Sequence, residues 1–396
     1  MIIKAFARKT AKAACIVLYR IMNFVLPVNS RLIVLSSSVA KSYSGNPKAL
    51  YEELVREGLD NEYQCVWFYE KHAFDIPGRH IQVKYGRLKY LFYMATAKFL
   101  IFDARQPEFL RKRSKSIYLQ TWHGTPLKKL ALDMDTVFMA GETDIESYKE
   151  SFRKNASTWD YLISQNPFST ETFRRAFDFK KEMLETGYPR NDSLFRHNNP
   201  DDIKEIKNKL GIDENKKVML YAPTWRDDSS FGLGRYRYTA ELNIDAMKEA
   251  FSDEYILIIK HHYLVEDNTD WTVYDGYVRV FDQTVDIAQM YLIADILITD
   301  YSSVMFDYSI LKRPMYFYCY DLERYKDVLR GFYFDFENNA PGPISLSTTE
   351  LIEDIKNEKH AAYSDKYAEF VSLYNPWDNI NSSKNVLDVI FKRDGR

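Results

Sequence analysis

His123 stands in QTWHGTPLKKL, residues 120–130, between a tryptophan and a Gly-Thr-Pro turn and directly after the apolar run SIYL. An imidazole titrates near neutrality, so here it could take a proton from a substrate hydroxyl, or it could be a core histidine satisfying structural hydrogen bonds. A second capable group is YILIIKHH, residues 255–262, where Lys260, His261 and His262 follow ILII. Adjacent side chains on an extended chain point to opposite faces, so at most one of these histidines faces a given cleft. A third is TDYSSVMFDYSILKRP, residues 299–314. Its preceding run ADILI reads as a strand that delivers Thr299 and Asp300, and Ser302 and Ser303 then open an amphipathic helix that ends before Pro314. Hydroxyls and unpaired N–H groups of a first helical turn can hold a phosphate or pyrophosphate, aided by the helix dipole. Simple N-capping by Ser or Asp is the alternative.

Other polar groups complement these. In YAPTWRDD, residues 221–228, Thr224 precedes Trp225 and Arg226. Arg226 offers a delocalised cation to a phosphate and Trp225 or Tyr221 a flat face to a base or ribose; an ion pair of Arg226 with Asp227 or Asp228 is the structural alternative. In GYPRNDSL, residues 187–194, Arg190 and Asn191 either reach a ligand or shape a turn. Lys128 and Lys129 are guides for a polyanionic acceptor or part of a solvated helix face. Neither GxGxxG nor GxxxxGK[ST] occurs, so a dinucleotide-binding or P-loop NTPase assignment lacks its main evidence.

The elements that must position these groups alternate. Apolar runs at 31–37, 65–70, 98–104, 116–122 and 160–166 predict strands, and the pattern restarts at 217–225, 255–262, 277–282, 295–300 and 314–321. Helical patterns lie between them, as at 47–58, 201–211 and 302–312. Such alternation predicts an α/β chain with parallel sheets covered on both faces. Two successive sets predict two doubly wound, Rossmann-like domains, 31–195 and 196–396, joined near FRHNNPDD at 195–202. Strand after strand ends in a polar group, and ligands of open parallel sheets bind beyond the strands' carboxyl ends. Those ends predict a cleft between two domains.

Composition supports a folded protein: 46% of 396 residues are apolar and 28% charged. The 30 tyrosines and 25 phenylalanines fit aromatic-lined grooves or large core fillers. Cys15, Cys65 and Cys319 are far apart and lack CxxC spacing, which argues against a disulfide framework or a cysteine zinc site and for a reducing compartment. Residues 1–31 hold six basic residues and no acid, although the whole chain carries −2. Lys4, Arg8 and Lys12 share a helical face, and the apolar run is too interrupted for the ~20 residues of a spanning helix. The segment 1–30 is therefore expected to lie as an amphipathic helix on an anionic membrane surface, the alternative being a helix packed on the protein's own surface. The acidic remainder makes nucleic acid an unfavourable partner.

Taken in order, QTWHGTPLKKL, SQNPFSTETF, ETGYPRNDSL, YAPTWRDD, KHHYLV, ITDYSSVMFDYSILKRP and YDLERY resemble the CDP-glycerol glycerophosphotransferase family of wall teichoic acid primases and polymerases. The likeness runs from about Ser42, in SYSGNPKALYEEL, to about Gly342. It implies a GT-B fold with an acceptor-side N-terminal domain, a CDP-alditol-binding C-terminal domain and a peripheral position on the cytoplasmic face of the membrane. It implies His123 as the general base, His262 rather than His261 as the second essential histidine, and Ser302 and Ser303 at the donor pyrophosphate, with Asp300 and Asp307 supporting their turn. Thr224, Trp225, Arg226, Lys260 and Thr299 complete the expected donor side; Gly124, Thr125, Lys128, Arg190 and Asn191 form the expected acceptor and interdomain side. Gly124-Thr125, where primases tend to have Ala-Asn, resembles the chain-extending branch. The implied partners are CDP-glycerol, or CDP-ribitol, and an undecaprenyl-diphosphate-linked acceptor. No metal cofactor is required, although free Mg²⁺ could assist. Capsule or linkage-unit alditol-phosphate transfer and, more distantly, nucleotide-sugar glycosyl transfer share these features.

Overall fold

The computed structural model describes residues 2–137, 144–224, 230–232, 235–237, 241–260, 265–266, 269–282, 284–324 and 331–392. A seven-stranded sheet is built from β1 (Asn29–Ser36), β2 (Gln64–Tyr69), β3 (His80–Lys84), β4 (Ala97–Phe102), β5 (Ile117–Gln120), β6 (Tyr161–Ser164) and β7 (Glu182–Glu185). Its order is 3-2-1-4-5-6-7 and every neighbouring pair is parallel. The later chain supplies β8 (Lys217–Ala222), β9 (Ser230–Gly232), β10 (Arg235–Arg237), β11 (Tyr255–Ile259), β12 (Val265–Glu266), β13 (Val278–Val280), β14 (Ile296–Thr299), β15 (Met315–Tyr318) and β16 (Ile344–Ser345). Six of these form a second parallel sheet, ordered 13-11-8-14-15-16, and β9, β10 and β12 form a small third sheet.

Residue alternation explains why both large sheets are covered twice. On β1, Leu32 and Val34 enter one apolar cluster and Ile33 and Leu35 the other. On β8, Val218, Leu220 and Ala222 face one cluster and Met219 and Tyr221 the other. Each fully buried aliphatic side chain contributes about 1.5–3 kcal/mol, so central strands must read as unbroken apolar runs. The expected two sets of parallel strands are present. The sequence pattern missed β3, β7 and β16, which lie at sheet edges and are short or partly exposed.

The last helix departs from the expected 196–396 unit. Ser382–Lys392 packs Val386, Leu387 and Ile390 against Ile33, Leu35 and Leu50 of the first sheet's core. Asp192 fixes its start by accepting the Ser382 and Ser383 N–H groups at 3.0 and 2.9 Å. The chain thus crosses back and ties its end to its beginning.

Candidate active site

Both sheets direct their carboxyl ends toward one junction. The two halves touch there through Gly124: a Cβ at this position would stand 3.0 Å from Ser303 Oγ and 3.7 Å from Arg190 Nη2, and φ is +156°. Glycine is required because the WHGTP loop and the Ser302-Ser303 turn approach so closely. Gly124→Ala is expected to displace Ser303, raise the donor KM severalfold and, because the alanine is strained at this φ, lower the melting temperature; steady-state kinetics beside a thermal melt would check this.

His123 follows β5 at the interdomain junction, reachable by solvent yet closely surrounded by protein. Its Nδ1 sits 3.0 Å from the Asp103 carbonyl oxygen. A carbonyl only accepts, so Nδ1 carries the proton and Nε2 of the neutral ring keeps its lone pair. Burial and the Arg190 guanidinium hold the imidazole pKa below its ordinary value, with the Asp103 carbonyl bond acting oppositely. Trp122 stacks on the ring at 4.4 Å and 23°. It does so from a left-handed φ of 52°, a strain of about 1–3 kcal/mol. Phe173, Phe177 and Phe152 hold the indole, and Asn46 donates to the Thr121 and Trp122 carbonyls at 3.1 Å each.

Arg190 is the hub. Its Nη1 donates to the His123 carbonyl at 2.8 Å, its Nη2 pairs with Asp307 at 2.5 Å, and its backbone N–H donates to Asn46 at 3.1 Å. Asp307 lies on the helix Val304–Tyr308, which follows Ser303. One guanidinium therefore joins the histidine loop to the serine turn. Behind it, Asn191 Nδ2 donates to Asp307 and Asp378 at 3.1 Å each, and Gln165 Nε2 donates to Asp378 at 2.7 Å. Burial pushes the Asp378 carboxyl up to about 6.

Several expected site residues brace the cleft rather than face it. Thr125 is 1% exposed; its hydroxyl donates to Gln165 at 2.6 Å and accepts from Asn166 at 2.9 Å. Asn191 is likewise buried. Thr299 donates to the Ala222 carbonyl at 2.8 Å, and Asp300 accepts the Thr224 N–H at 2.9 Å, so both clamp the ends of β14 and β8 together. Lys260 is 9% exposed and donates to the Asp282 and Val285 carbonyls at 2.6 and 3.2 Å, an arrangement that shapes a loop instead of meeting a phosphate. Burial lowers its pKa to about 8. Lys128 is not on a helix: 127–129 pairs with 331–333 of the second half through a Lys128–Phe332 bridge and the Lys129 N–H to Gly331 carbonyl bond.

Ser302 and Ser303 are half-buried at the junction, Ser302 Oγ lying 3.5 Å from the Val304 N–H and Ser303 Oγ against Gly124. The helix after them is shorter than expected, and Ser303 makes no side-chain capping bond. Trp225, Arg226, Asp227, His261 and His262 lie outside the described residues. Sequence reading missed Asn46, Asp103, Gln165 and Asp378. Among the described residues no three His, Cys, Asp or Glu side chains are grouped to hold a metal ion.

Residues 18–392 match the family described as CDP-Glycerol:Poly(glycerophosphate) glycerophosphotransferase. The chain belongs to this family. This glycerophosphotransferase is 45% identical over 375 residues to a teichoic acid poly(glycerol phosphate) polymerase of Bacillus spizizenii, covering 94% of each chain. It is 41% identical to a teichoic acid glycerol-phosphate transferase of Staphylococcus aureus, covering 92% of this chain and 94% of that one. A variant of the wall teichoic acid polymerase TagF matches its fold with a TM-score of 0.88 and 36% identity, over 96% of this chain and 92% of that one. The same variant is known from a CDPG soak.

Proposed function

We propose that the protein transfers glycerol phosphate from CDP-glycerol to the terminal hydroxyl of a lipid-linked teichoic acid, releasing CMP and extending the chain. The observation that carries the chemical step is His123, with Nδ1 fixed on the Asp103 carbonyl and its loop packed against the Ser303 turn. The acceptor hydroxyl attacks the phosphorus that bears glycerol and gives its proton to His123 Nε2. A new P–O bond forms, the bridging P–O bond to the CMP phosphate breaks, and CMP leaves with the bonding pair. Ser302 and Ser303 hydroxyls, with His262 and Arg226, are assigned to the pyrophosphate oxygens. Catalysis is then mostly positioning and electrostatics, as is general for phosphoryl transfer, and the reading requires no resident metal. The GT-B description fits two parallel sheets whose carboxyl ends converge on one cleft. Incubation with CDP-glycerol, CDP-ribitol or a UDP-sugar plus lipid-linked acceptor tests this: CMP release with CDP-glycerol alone is expected, and UDP release or a preference for CDP-ribitol would overturn it.

The N-terminal helix is proposed to hold the enzyme on the cytoplasmic leaflet, where that acceptor is anchored. Ile2–Val25 is helical, and no described helix is long and apolar enough to cross a membrane. Tyr19 is buried against Phe109, whereas Phe24 is 88% exposed, with Val17, Ile21 and Val25 also exposed. The helix Leu88–Thr96 packs beside it and exposes Leu88 and Phe92. Because Tyr19 belongs to the core, substitution is a cleaner test than deletion. Ile21→Asp with Phe24→Asp is expected to abolish sedimentation with anionic vesicles while CDP-glycerol binding persists; unchanged sedimentation would count against the helix.

A further inference from the structure

The segment joining β4 to β5, residues 103–116, is fastened to the catalytic histidine at one end and to the N-terminal helix at the other. The Asp103 carbonyl holds His123 Nδ1 at 3.0 Å, and the Arg111 carbonyl accepts the Tyr19 hydroxyl at 2.9 Å. Arg113 bonds the Leu26 carbonyl just beyond that helix. Along this segment a cavity of about 540 Å³ opens, lined by Gln106, Arg111, Lys112, Tyr118, Lys154 and Asn155 among others.

Its charge is mostly positive: three cations line it against one acid, Glu108. Lys112 is tied to Asp160 at 2.7 Å and Lys154 lies 3.5 Å from Glu150. The Arg111 side chain is exposed and pairs with no described residue. Tyr118 is 3% exposed; its hydroxyl lies against the Trp159 side chain, whose N–H can only donate, and its own O–H meets no acceptor among the described residues. Buried hydroxyls are nearly always bonded. The neighbouring amide is not available to it, since Asn155 Nδ2 donates to the Gln106 carbonyl at 2.6 Å and its Oδ1 accepts Trp159 Nε1 at 3.3 Å. A donor without a described acceptor, beside a guanidinium with no partner among the described residues, suits an anionic oxygen.

Position narrows the anion further. Gln106 is three residues from Asp103, so their Cα atoms are at most ~11 Å apart. A chain whose terminal hydroxyl meets His123 would lay its preceding units along this segment toward the membrane helix. We propose that the cavity is a subsite for the acceptor chain, binding a glycerol phosphodiester one or two units behind the reacting hydroxyl. This rests on the functional reading above. The same chemistry is present in the headgroup of phosphatidylglycerol, and the two sources are separable.

The test uses the full chain and needs no turnover. Binding of a synthetic glycerol phosphate trimer is measured by calorimetry for the wild type, Arg111→Gln and Tyr118→Phe, alongside inorganic phosphate and phosphatidylglycerol vesicles. Arg111→Gln is expected to weaken trimer binding roughly tenfold, the scale of one lost hydrogen bond to a charged group, and Tyr118→Phe severalfold. Vesicle binding and CDP-glycerol affinity stay as in the wild type. Equal trimer binding by all three proteins overturns the proposal, as does competition by inorganic phosphate at equal concentration. Loss of vesicle binding with trimer binding intact assigns the cavity to phospholipid and overturns it too. Failure of CDP-glycerol to act as donor would remove the functional reading without altering these binding data.

Discussion

His123→Ala is expected to lower turnover by about 10²–10⁴-fold, the usual span of a lost general base, while CDP-glycerol affinity is unchanged. The reason is geometric. The ring touches the protein through Nδ1 and the indole face of Trp122, and neither contact lies on the Ser302-Ser303 turn assigned to the donor. His123→Asn provides the stricter variant, because its amide can still donate to the Asp103 carbonyl but has no lone pair suited to taking a proton. Isothermal titration with donor, together with CMP release in the presence of acceptor, separates the two effects. Full activity in either variant would remove His123 from the chemistry.

Arg190→Met should have the second largest effect, and it should act on both stability and pH dependence. Arg190 and Asp307 are mostly buried partners, at 18% and 4% side-chain exposure. Breaking such a pair by removing one member costs about 3–5 kcal/mol, so a large fall in melting temperature is expected. The pH effect has a definite sign. In the proposed mechanism neutral imidazole is the active base, and the Arg190 charge disfavours its protonation. Without that charge the His123 pKa rises toward its ordinary value, so the acid limb of kcat/KM moves to higher pH and activity near pH 6 falls more than at pH 8. Asp103 meets this ring through its backbone carbonyl, while its carboxyl oxygens accept the Ser38 N–H at 2.9 and 3.1 Å. Burial pushes that carboxyl up to about 7, with the Ser38 N–H and Arg190 acting oppositely. Arg190→Lys retains the charge but loses the fork that spans His123 and Asp307. It should therefore lower kcat while leaving the limb in place, a separation that a purely structural role would not give.

The same residues show how much of this site could be read before the fold was known. Strand ends were legible because buried parallel strands must be continuous apolar runs, and the polar residue that breaks each run marks the sheet's carboxyl edge. This located His123, Thr224, Lys260 and Thr299 at the cleft's margin. It could not say which way they point. Lys260 follows ILII as a ligand would, yet its ammonium turns to two backbone carbonyls, and Thr125 and Asn191 are spent in a buried network. Asn46 was invisible for a related reason: it lies on a helix about seventy-five residues before the carbonyls it holds, and no local periodicity records such a contact. A lysine pair has no strand signature, so in sequence Lys128 and Lys129 resemble a solvated helix face or guides for a polyanion. Their pairing with 331–333 is set by the partner segment.

In the proposed reaction this cleft joins glycerol phosphate to an acceptor hydroxyl with loss of CMP. Mass spectrometry of the lipid-linked acceptor after incubation with CDP-glycerol, with CMP quantified in the same tube, tests it most directly. A ladder of acceptor masses separated by one glycerol phosphate is expected, with one CMP released for each unit gained. An acceptor of unchanged mass beside released CMP, or a ladder without CMP, would contradict it.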